Sequence, residues 1–519
     1  MNLGINLVEV NGATPSIQGA PTSVAGFVIR SQRGVPGVVQ QVSSFSQFTD
    51  LFGGYVAAGA AIVSGAQTQT SYVGAYALRG FFDNGGTLAY VYRVVATANQ
   101  TTAAAPATFS TDANITLTAA YRGQTDPGVW GNDIAYTITS NASNIAHAFD
   151  LTIYQRTAVA GGGFTYKVLE TWTKLVNGGA PGAQKPEILN DPSSGSKYVK
   201  VTTANAPAAP TTVGNPTALT GGADNVPQNP ADLDTALAAV LATPSPFDSI
   251  PIELLACPET STASVVSAAL TYCINRGDCM FVGHVPDPDS QSAAKAYGQG
   301  LQGDKVYGAL YYPYIQVVDP IGTLIWIPPT GHVLGVYART DQQRGIWKAP
   351  AGDSAVVQNA LAVRTPLNDT DHTDLVKNGS VNAIRSITGA GIVIDSSRTL
   401  STNTLWLYVN VRLLFNFVKT SLKLGLRWVV QEPNDATLWN QIKFNSVTPF
   451  LMGLWRLGAF GSGKPSDVFT VKVDAVNNPP ANVQQGILNV EVYFYPSRPA
   501  ETIVITVGQQ QGASTATEG

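Results

Sequence analysis

At 519 residues the chain is too long for one hydrophobic core, and at about 100–200 residues per domain it should hold about three. Only 12% of its residues are charged, roughly half the usual share, so the surface must be built largely of Ser, Thr, Asn, Gln and Ala, with little charge to keep copies apart. A formal net charge of −4 is too small to make nucleic acid the partner of the whole chain. The first basic residue is Arg30, so the opening segment lacks the basic flank of a secretion signal, and no run of about 18 apolar residues is available for a membrane span.

Leu3, Ile5 and Leu7 alternate with Gly4 and Asn6, the period of a short strand standing apart from the core. Val24 to Arg30 reads as a second strand, followed by a turn at Gly34-Val35-Pro36-Gly37 and a short helix carrying Phe45, Phe48, Leu51 and Phe52. Another helix from Tyr72 ends in Asp83-Asn84-Gly85-Gly86, where glycine supplies the positive φ of a helix exit. Thr87 to Val95 is a β-branched and aromatic strand. Ala96 to Ser110, rich in Ala, Thr and Pro, reads as a linker. Alternating runs at Ile115 to Thr118, Ile134 to Thr139, Phe149 to Tyr154, Phe164 to Leu169 and Tyr198 to Val201, joined by Gly and Asn turns, predict a β-sandwich. A second linker spans Ala204 to Pro230.

From Ala231 the rhythm becomes helix then strand: Asp232 to Leu241, Ile252 to Ala256, Ser261 to Arg276, Cys279 to Val282. That alternation predicts an α/β layer with parallel strands. Further on, Leu407, Val411, Leu414, Phe415, Val418 and Leu422 recur at helical spacing as a buried stripe. The outer face of that helix carries Arg412, Lys419 and Lys423, with Arg427 just beyond, and no acid occurs between Thr399 and Gln431. Asn434-Asp435 can cap a second helix, in which Pro449 predicts a kink or a split. Ile487 to Tyr495 and Glu501 to Val507 read as strands, and Gly508 to Gly519 as a disordered tail.

Several sequence blocks carry a resemblance. Pro328-Pro329-Thr330-Gly331-His332, Tyr337-Ala338-Arg339-Thr340-Asp341 and Arg344-Gly345-Ile346-Trp347-Lys348-Ala349-Pro350 follow one another in the aromatic run from Ala309. Tyr76 to Gly86 with Ala89 to Val94, Pro127 to Asn132, Asn382 to Arg385, Arg398 to Leu400, Tyr408 to Arg412, Leu426 to Asp435 and Gly453 to Arg456 complete the set. In this order they resemble the contractile tail sheath proteins of myophages, R-type bacteriocins and extracellular contractile injection systems. The resemblance implies a multidomain α+β and α/β fold: an α+β sheath core built from both termini, with an inserted β-sandwich and a non-catalytic α/β domain of subtilisin-like topology. The expected divisions are 1–20 (linking arm), 21–96 (core), 97–230 (sandwich and linkers), 231–364 (α/β), 365–486 (C-terminal core) and 487–519 (linking strands and tail).

It further implies a structural subunit, not an enzyme, that polymerises with itself around an inner tail tube protein and meets baseplate and tail terminator or cap proteins, with no cofactor. Assembly in the host cytoplasm, then residence in a virion or an extracellular particle, follows from the same likeness. Leu3, Ile5 and Leu7, with Leu488, Val490, Val492, Ile503 and Ile505, are expected to exchange strands between copies, since an unpaired strand edge recruits another strand. The basic helix, Arg412, Lys419, Lys423 and Arg427, is expected to dock on the tube; the plainer reading is a solvated face. The alternatives are a static tube or capsid-associated protein and a subtilisin-like hydrolase.

Signals of catalysis are weak. Gly458 to Pro465 matches a phosphate-binding loop except that Pro465 stands where Ser or Thr should hold Mg²⁺. His284 and His332 lack a nucleophile elbow. Asp369, Asp371, His372 and Asp374 lack the glycine and distal glutamate of a calcium loop. Cys257, Cys273 and Cys279 have no metal spacing and read as buried thiols.

Overall fold

The computed structural model describes residues 16–55, 72–96, 100–112, 114–203, 208–227, 230–286, 290–320 and 322–501. The first elements are β1 (Ala25–Ile29), β2 (Val39–Val42), α1 (Phe45–Phe52), α2 (Gly74–Asp83) and β3 (Ala89–Arg93). Ser44 starts α1 by accepting the Gln47 N–H at 3.2 Å, the helix buries Phe48 and Phe52, and Gly53 at φ 81° ends it.

Next come β4 (Gln100–Thr102), β5 (Thr108–Asp112), β6 (Ile115–Tyr121), β7 (Gln124–Thr125), β8 (Ile134–Ser140), β9 (Phe149–Ala158), β10 (Phe164–Leu175), β11 (Val199–Thr203), β12 (Val213–Ala218) and β13 (Val226–Pro227). They form a sheet β10-β9-β8-β12 facing a sheet β11-β6-β5. Leu117 and Val201 from one sheet meet Tyr136, Ile138, Leu151 and Ile153 from the other in a single core, which is the expected sandwich. The two stretches read as linkers are not plain linkers: β4, β12, β13 and the start of β5 lie in them, short strands whose Thr, Pro, Gly and Asn content resembles loop.

The chain then runs through α3 (Pro230–Val240), β14 (Leu254–Ala256), α4 (Ala263–Arg276), β15 (Met280–His284), α5 (Gln291–Gln299), β16 (Gly308–Tyr312), β17 (Ile315–Val318), β18 (Leu324–Ile327), α6 (Thr330–Arg344), β19 (Ala362–Val363), α7 (Asp369–Gly379), β20 (Val381–Ile387) and β21 (Gly391–Ile394). One sheet joins this stretch to the N-terminal elements, in the order β2-β3-β1-β14-β15-β16-β20-β21. β3, β1, β14, β15, β16 and β20 are parallel, while β2 and β21 are antiparallel edges. The divisions expected at 231 and 365 therefore do not separate domains: residues 21–96 and 231–394 build one αβα layer, because buried strands such as Ala25–Ile29 need neighbours on both sides.

One face of the sheet is covered by α1, α2 and α6, the other by α3, α4, α5 and α7. α2 and α6 touch backbone to backbone. A Cβ on Gly331 would lie 2.0 Å from the Ala77 carbonyl oxygen, which gives the Pro-Pro-Thr-Gly-His block its physical meaning.

The remaining elements are α8 (Val409–Gly425), α9 (Ala436–Asn440), α10 (Thr448–Arg456), α11 (Pro465–Val468), β22 (Phe469–Lys472), α12 (Pro480–Gln484) and β23 (Glu491–Phe494). Asp435 caps α9, accepting the Leu438 N–H at 2.9 Å. The expected division at Pro449 is present in part: Pro449 stands in the first turn of α10, the second of two short α-helices, and a π-helix over Gln441–Val447 carries the run from α9 into it. Leu414, Val418, Ile442 and Leu451 make this domain's core, and Ile17 and Ala20 from the segment before β1 complete it. Ala20 N–H bonds Ser421 Oγ at 2.9 Å.

Candidate functional site

Among the parallel strands, numbered by occurrence, the order is 2-1-3-4-5-6, the doubly wound arrangement whose ligand seat lies beyond the strand ends where the order reverses. That seat is between β1 and β14, and the chain fills it. The Glu259 carboxylate, 3% exposed, accepts N–H bonds from Arg30 at 3.1 Å, just past β1, and from Gly74 at 2.9 Å, the first residue of α2. A helix N-terminus that could cradle a phosphate is thus held by an internal carboxylate. Burial raises the Glu259 pKa to about 7, opposed by Arg30 and by the backbone bonds.

The histidines are packing residues. His284 Nδ1 lies 3.0 Å from Thr330 Oγ1, and burial lowers the ring to about 3; His332 is lowered to about 4, also by burial. The glycine-rich stretch at 458–465 follows α10 and enters the four-residue α11, not a strand-to-helix turn. Asp369, Asp371, His372 and Asp374 belong to the first turns of α7, where acids suit the helix dipole. Arg385 engages Asp369 at 2.5 Å and Lys295 engages Asp374 at 2.7 Å. Cys257, Cys273 and Cys279 are buried and free.

On the basic helix, α8, one expectation is overturned. Arg412 is not an outer residue: it is 2% exposed, and its guanidinium lies between the rings of Tyr307 and Trp406, 3.9 Å from each centroid. A planar cation between two aromatic faces is stabilised without water. Lys419 is exposed but donates to the Gly277 carbonyl. Lys423 and Arg427 are exposed and form no ion pair among the described residues.

The terminal strands are described only in part. Leu3, Ile5, Leu7, Ile503 and Ile505 lie outside the described residues. Val492 pairs within its own chain, opposite Val471, in the antiparallel pair β22–β23, and Leu488 and Val490 pack half-buried against the C-terminal core. The local partner wins because β22 lies close in sequence and the pair buries Phe469 beside Phe460 and Phe494. Among the described residues β22–β23 remains a two-stranded sheet, with an unpaired edge on each side.

Residues that sequence reading missed fasten both ends. Ser23 N–H bonds Glu253 Oε2 at 2.5 Å and Ser23 Oγ bonds Asp341 Oδ2 at 2.9 Å. At the other end Arg398 grips Glu501 with two bonds of 2.8 and 2.6 Å, and Asn410 donates to the carbonyls of Trp347 and Ser497. These pairs are far apart in sequence, so no local spacing marks them.

The model for the phage tail sheath protein central domain matches residues 230–400, and that for the phage tail sheath C-terminal domain matches residues 401–510. The tail sheath protein of Salmonella phage ViI is 29% identical over 154 residues, covering 30% of this chain and 23% of that protein; the chain aligns with about a quarter of that relative's length. Among solved structures, the sheath complex of the extracellular contractile injection system PVC in its contracted state matches with a TM-score of 0.59 at 17% identity, covering 98% of each chain. The helical sheath of the anti-feeding prophage in its contracted state matches with a TM-score of 0.58 at 20% identity, covering 98% of this chain and 99% of that one. Two models of one family thus tile residues 230 to 510 in order, more than half of the sequence, and the chain belongs to the phage tail sheath family.

Proposed function

We propose that the chain is the structural subunit of a contractile sheath. Copies polymerise around an inner tube in an extended state of higher free energy, then rotate and slide into a shorter, wider lattice that drives the tube forward. The reading rests above all on the tiling of residues 230–510 by two sheath-family models. The filled ligand seat at Glu259 and the buried histidines favour an assembling protein over a hydrolase. Leu405, Leu424, Val430, Phe444, Leu457 and Val476 of the C-terminal region are all more than half exposed, which suits a domain that is covered by neighbours. The subtilisin-like topology implied by the resemblance plays no part in this reading.

In the same proposal the open edges of β22 and β23 receive the arms of adjacent copies, with Leu3, Ile5, Leu7, Ile503 and Ile505 setting the register. Lys423 and Arg427, with Lys419 beside them, face an acidic tube, and baseplate and terminator proteins close the ends. A bias of about 5.5 kcal/mol per subunit takes a two-state equilibrium from almost wholly extended to almost wholly contracted. Negative-stain images of the expressed protein decide the reading: wide hollow cylinders are expected, whereas thin tubes or dispersed monomers overturn it. Lys423→Glu with Arg427→Glu should weaken co-assembly with the tube while leaving cylinders intact; unchanged co-assembly removes the docking role.

A further inference from the structure

A cleft of about 730 Å³ opens between the αβα layer and the C-terminal domain. Its walls come from the end of α6, from α7 and from residues 497–501. The two carboxylates lining it already have cations: Asp395 accepts from Arg385 at 2.7 Å, and Glu501 is gripped by Arg398. Three lining cations, Arg344, Lys377 and Arg498, are exposed and form no ion pair among the described residues. Lys348 adds a fourth charge with no ion pair among the described residues; its ammonium bonds the Ala349 and Ala351 carbonyls. Deeper in the lining, Asn410 is 2% exposed, and its Oδ1 has no hydrogen-bond partner among the described residues while its amide nitrogen is used twice. The cleft is therefore a positive, partly apolar slot suited to a peptide that carries a carboxylate.

We propose that this cleft seats Glu9 of a second copy, with its carboxylate facing Arg344 and Arg498. The proposal rests on the arm exchange above and adds a residue-level key to it. Glu9 is the only ionisable side chain among residues 1–15, and it sits in the apolar run Leu7-Val8-Glu9-Val10. The arm of the same copy is poorly placed to supply it. Ala20 is bonded at Ser421 and Ile17 packs on Gly425, so the chain, followed towards its start, runs towards the C-terminal end of α8. Asn410, which lines the cleft, is in the first turn of that helix, about 23 Å from Gly425 at 1.5 Å per residue. The eight steps from Ile17 to Glu9 span at most about 29 Å when fully extended, so the same copy could supply Glu9 only with its arm almost straight and with under about two residues left for the reversal that the route requires.

The test is a cysteine pair, Glu9→Cys with Arg498→Cys, oxidised in assembled cylinders; the three native cysteines are buried and stay silent. A ladder of dimers and higher multiples on a non-reducing gel is expected, and none when Thr165→Cys replaces Arg498→Cys. Cylinders that give no ladder, or a cross-link confined to single chains, overturn the proposal. If the cysteine variant does not assemble, charge reversal decides instead. Glu9→Lys should weaken subunit joining about threefold at low salt, and Glu9→Lys with Arg498→Glu should restore it; failure of that rescue overturns the proposal too. Wild-type protein that forms no cylinders would instead sink the sheath reading itself, so the two failures are distinguishable.

Discussion

Where the β-sandwich joins the αβα layer, arginines converge on one buried aspartate; where the segment before β1 crosses α6, two carboxylates meet without a cation. At the first junction Asp126, fully buried, takes Arg93 at 3.0 Å and the Gly34 N–H at 2.9 Å, with Arg33 Nε at 3.8 Å. Arg33 also stacks 4.4 Å over Trp130 and bonds the Lys197 carbonyl at 2.9 Å, so core and sandwich share one charge network. At the second, Ser23 stands between Glu253 and Asp341, and neither acid forms an ion pair among the described residues. Burial raises Glu253 to about 8, the Ser23 bond opposes this and the Asp341 charge adds to it. The contrast is between a joint whose buried acid is held by two arginines and a fastening whose acid has no cation and is held back from ionising by burial.

The strongest way to break the first junction is Asp126→Ala, which leaves Arg93 and Arg33 buried without their counter-charge. A loss of about 3–5 kcal/mol in unfolding free energy is expected, read by urea denaturation, together with new proteolytic cleavage near 97–110 as the sandwich comes loose. A loss under about 1 kcal/mol would mean that the network is ornamental to the joint. Next in size is Gly331→Val, remote from both junctions, which tests whether packing instead of charge limits stability. Its side chain would meet the Ala77 backbone, and overpacking of this kind costs about 1–3 kcal/mol. An unchanged melting temperature would show that α2 and α6 can separate freely.

Both junctions lie in stretches whose elements, but not whose contacts, are legible in the sequence. The five alternating runs of the sandwich and the helix–strand rhythm after Ala231 are visible because burial on one face imposes period two and burial on both faces imposes apolar runs. What joins them is not periodic. Asn382 and Arg398 read as two separate blocks, yet Arg398 N–H bonds Asn382 Oδ1 at 2.6 Å and Asn382 returns a bond to the Arg398 carbonyl at 2.7 Å. Arg412, Lys419 and Lys423 share one helical stripe, and the sequence around them does not say that Tyr307 and Trp406 cover the first. Val492 reads as a free strand because its partner, Val471, is weakly patterned. Charge and strand propensity are local properties, whereas exposure is decided by whatever else arrives.

The fastening at Ser23 is sharpened by pH. Glu253 ionises near 4.5 when unfolded and near 8 when folded, so its contribution is fully present below about pH 4.5 and is lost as pH rises through about 8, at up to about 1.4 kcal/mol per unit. Between pH 6 and 8 a loss of about 1–2 kcal/mol is expected after relaxation of the site, and Glu253→Gln should flatten that slope in a melting series. A variant that keeps the wild-type slope would assign the titration elsewhere.

The smallest effect is expected at the C-terminal root, and it has the opposite sign. Arg398 holds the Glu501 carboxyl below its usual range, so this contact contributes above about pH 4.5 and is lost on acidification through the depressed pKa. Because Glu501 is partly exposed, screening limits its worth. Arg398→Lys, which keeps the charge but loses the two-pronged grip, should cost only about 0.5–1 kcal/mol. Limited proteolysis of the free subunit then distinguishes the two ends: alkaline pH should open cleavage near Ser23 first, and acid pH should open it near Glu501 first. Cleavage at both ends in the same pH direction would mean that the two roots are not independent, and that one global opening controls them.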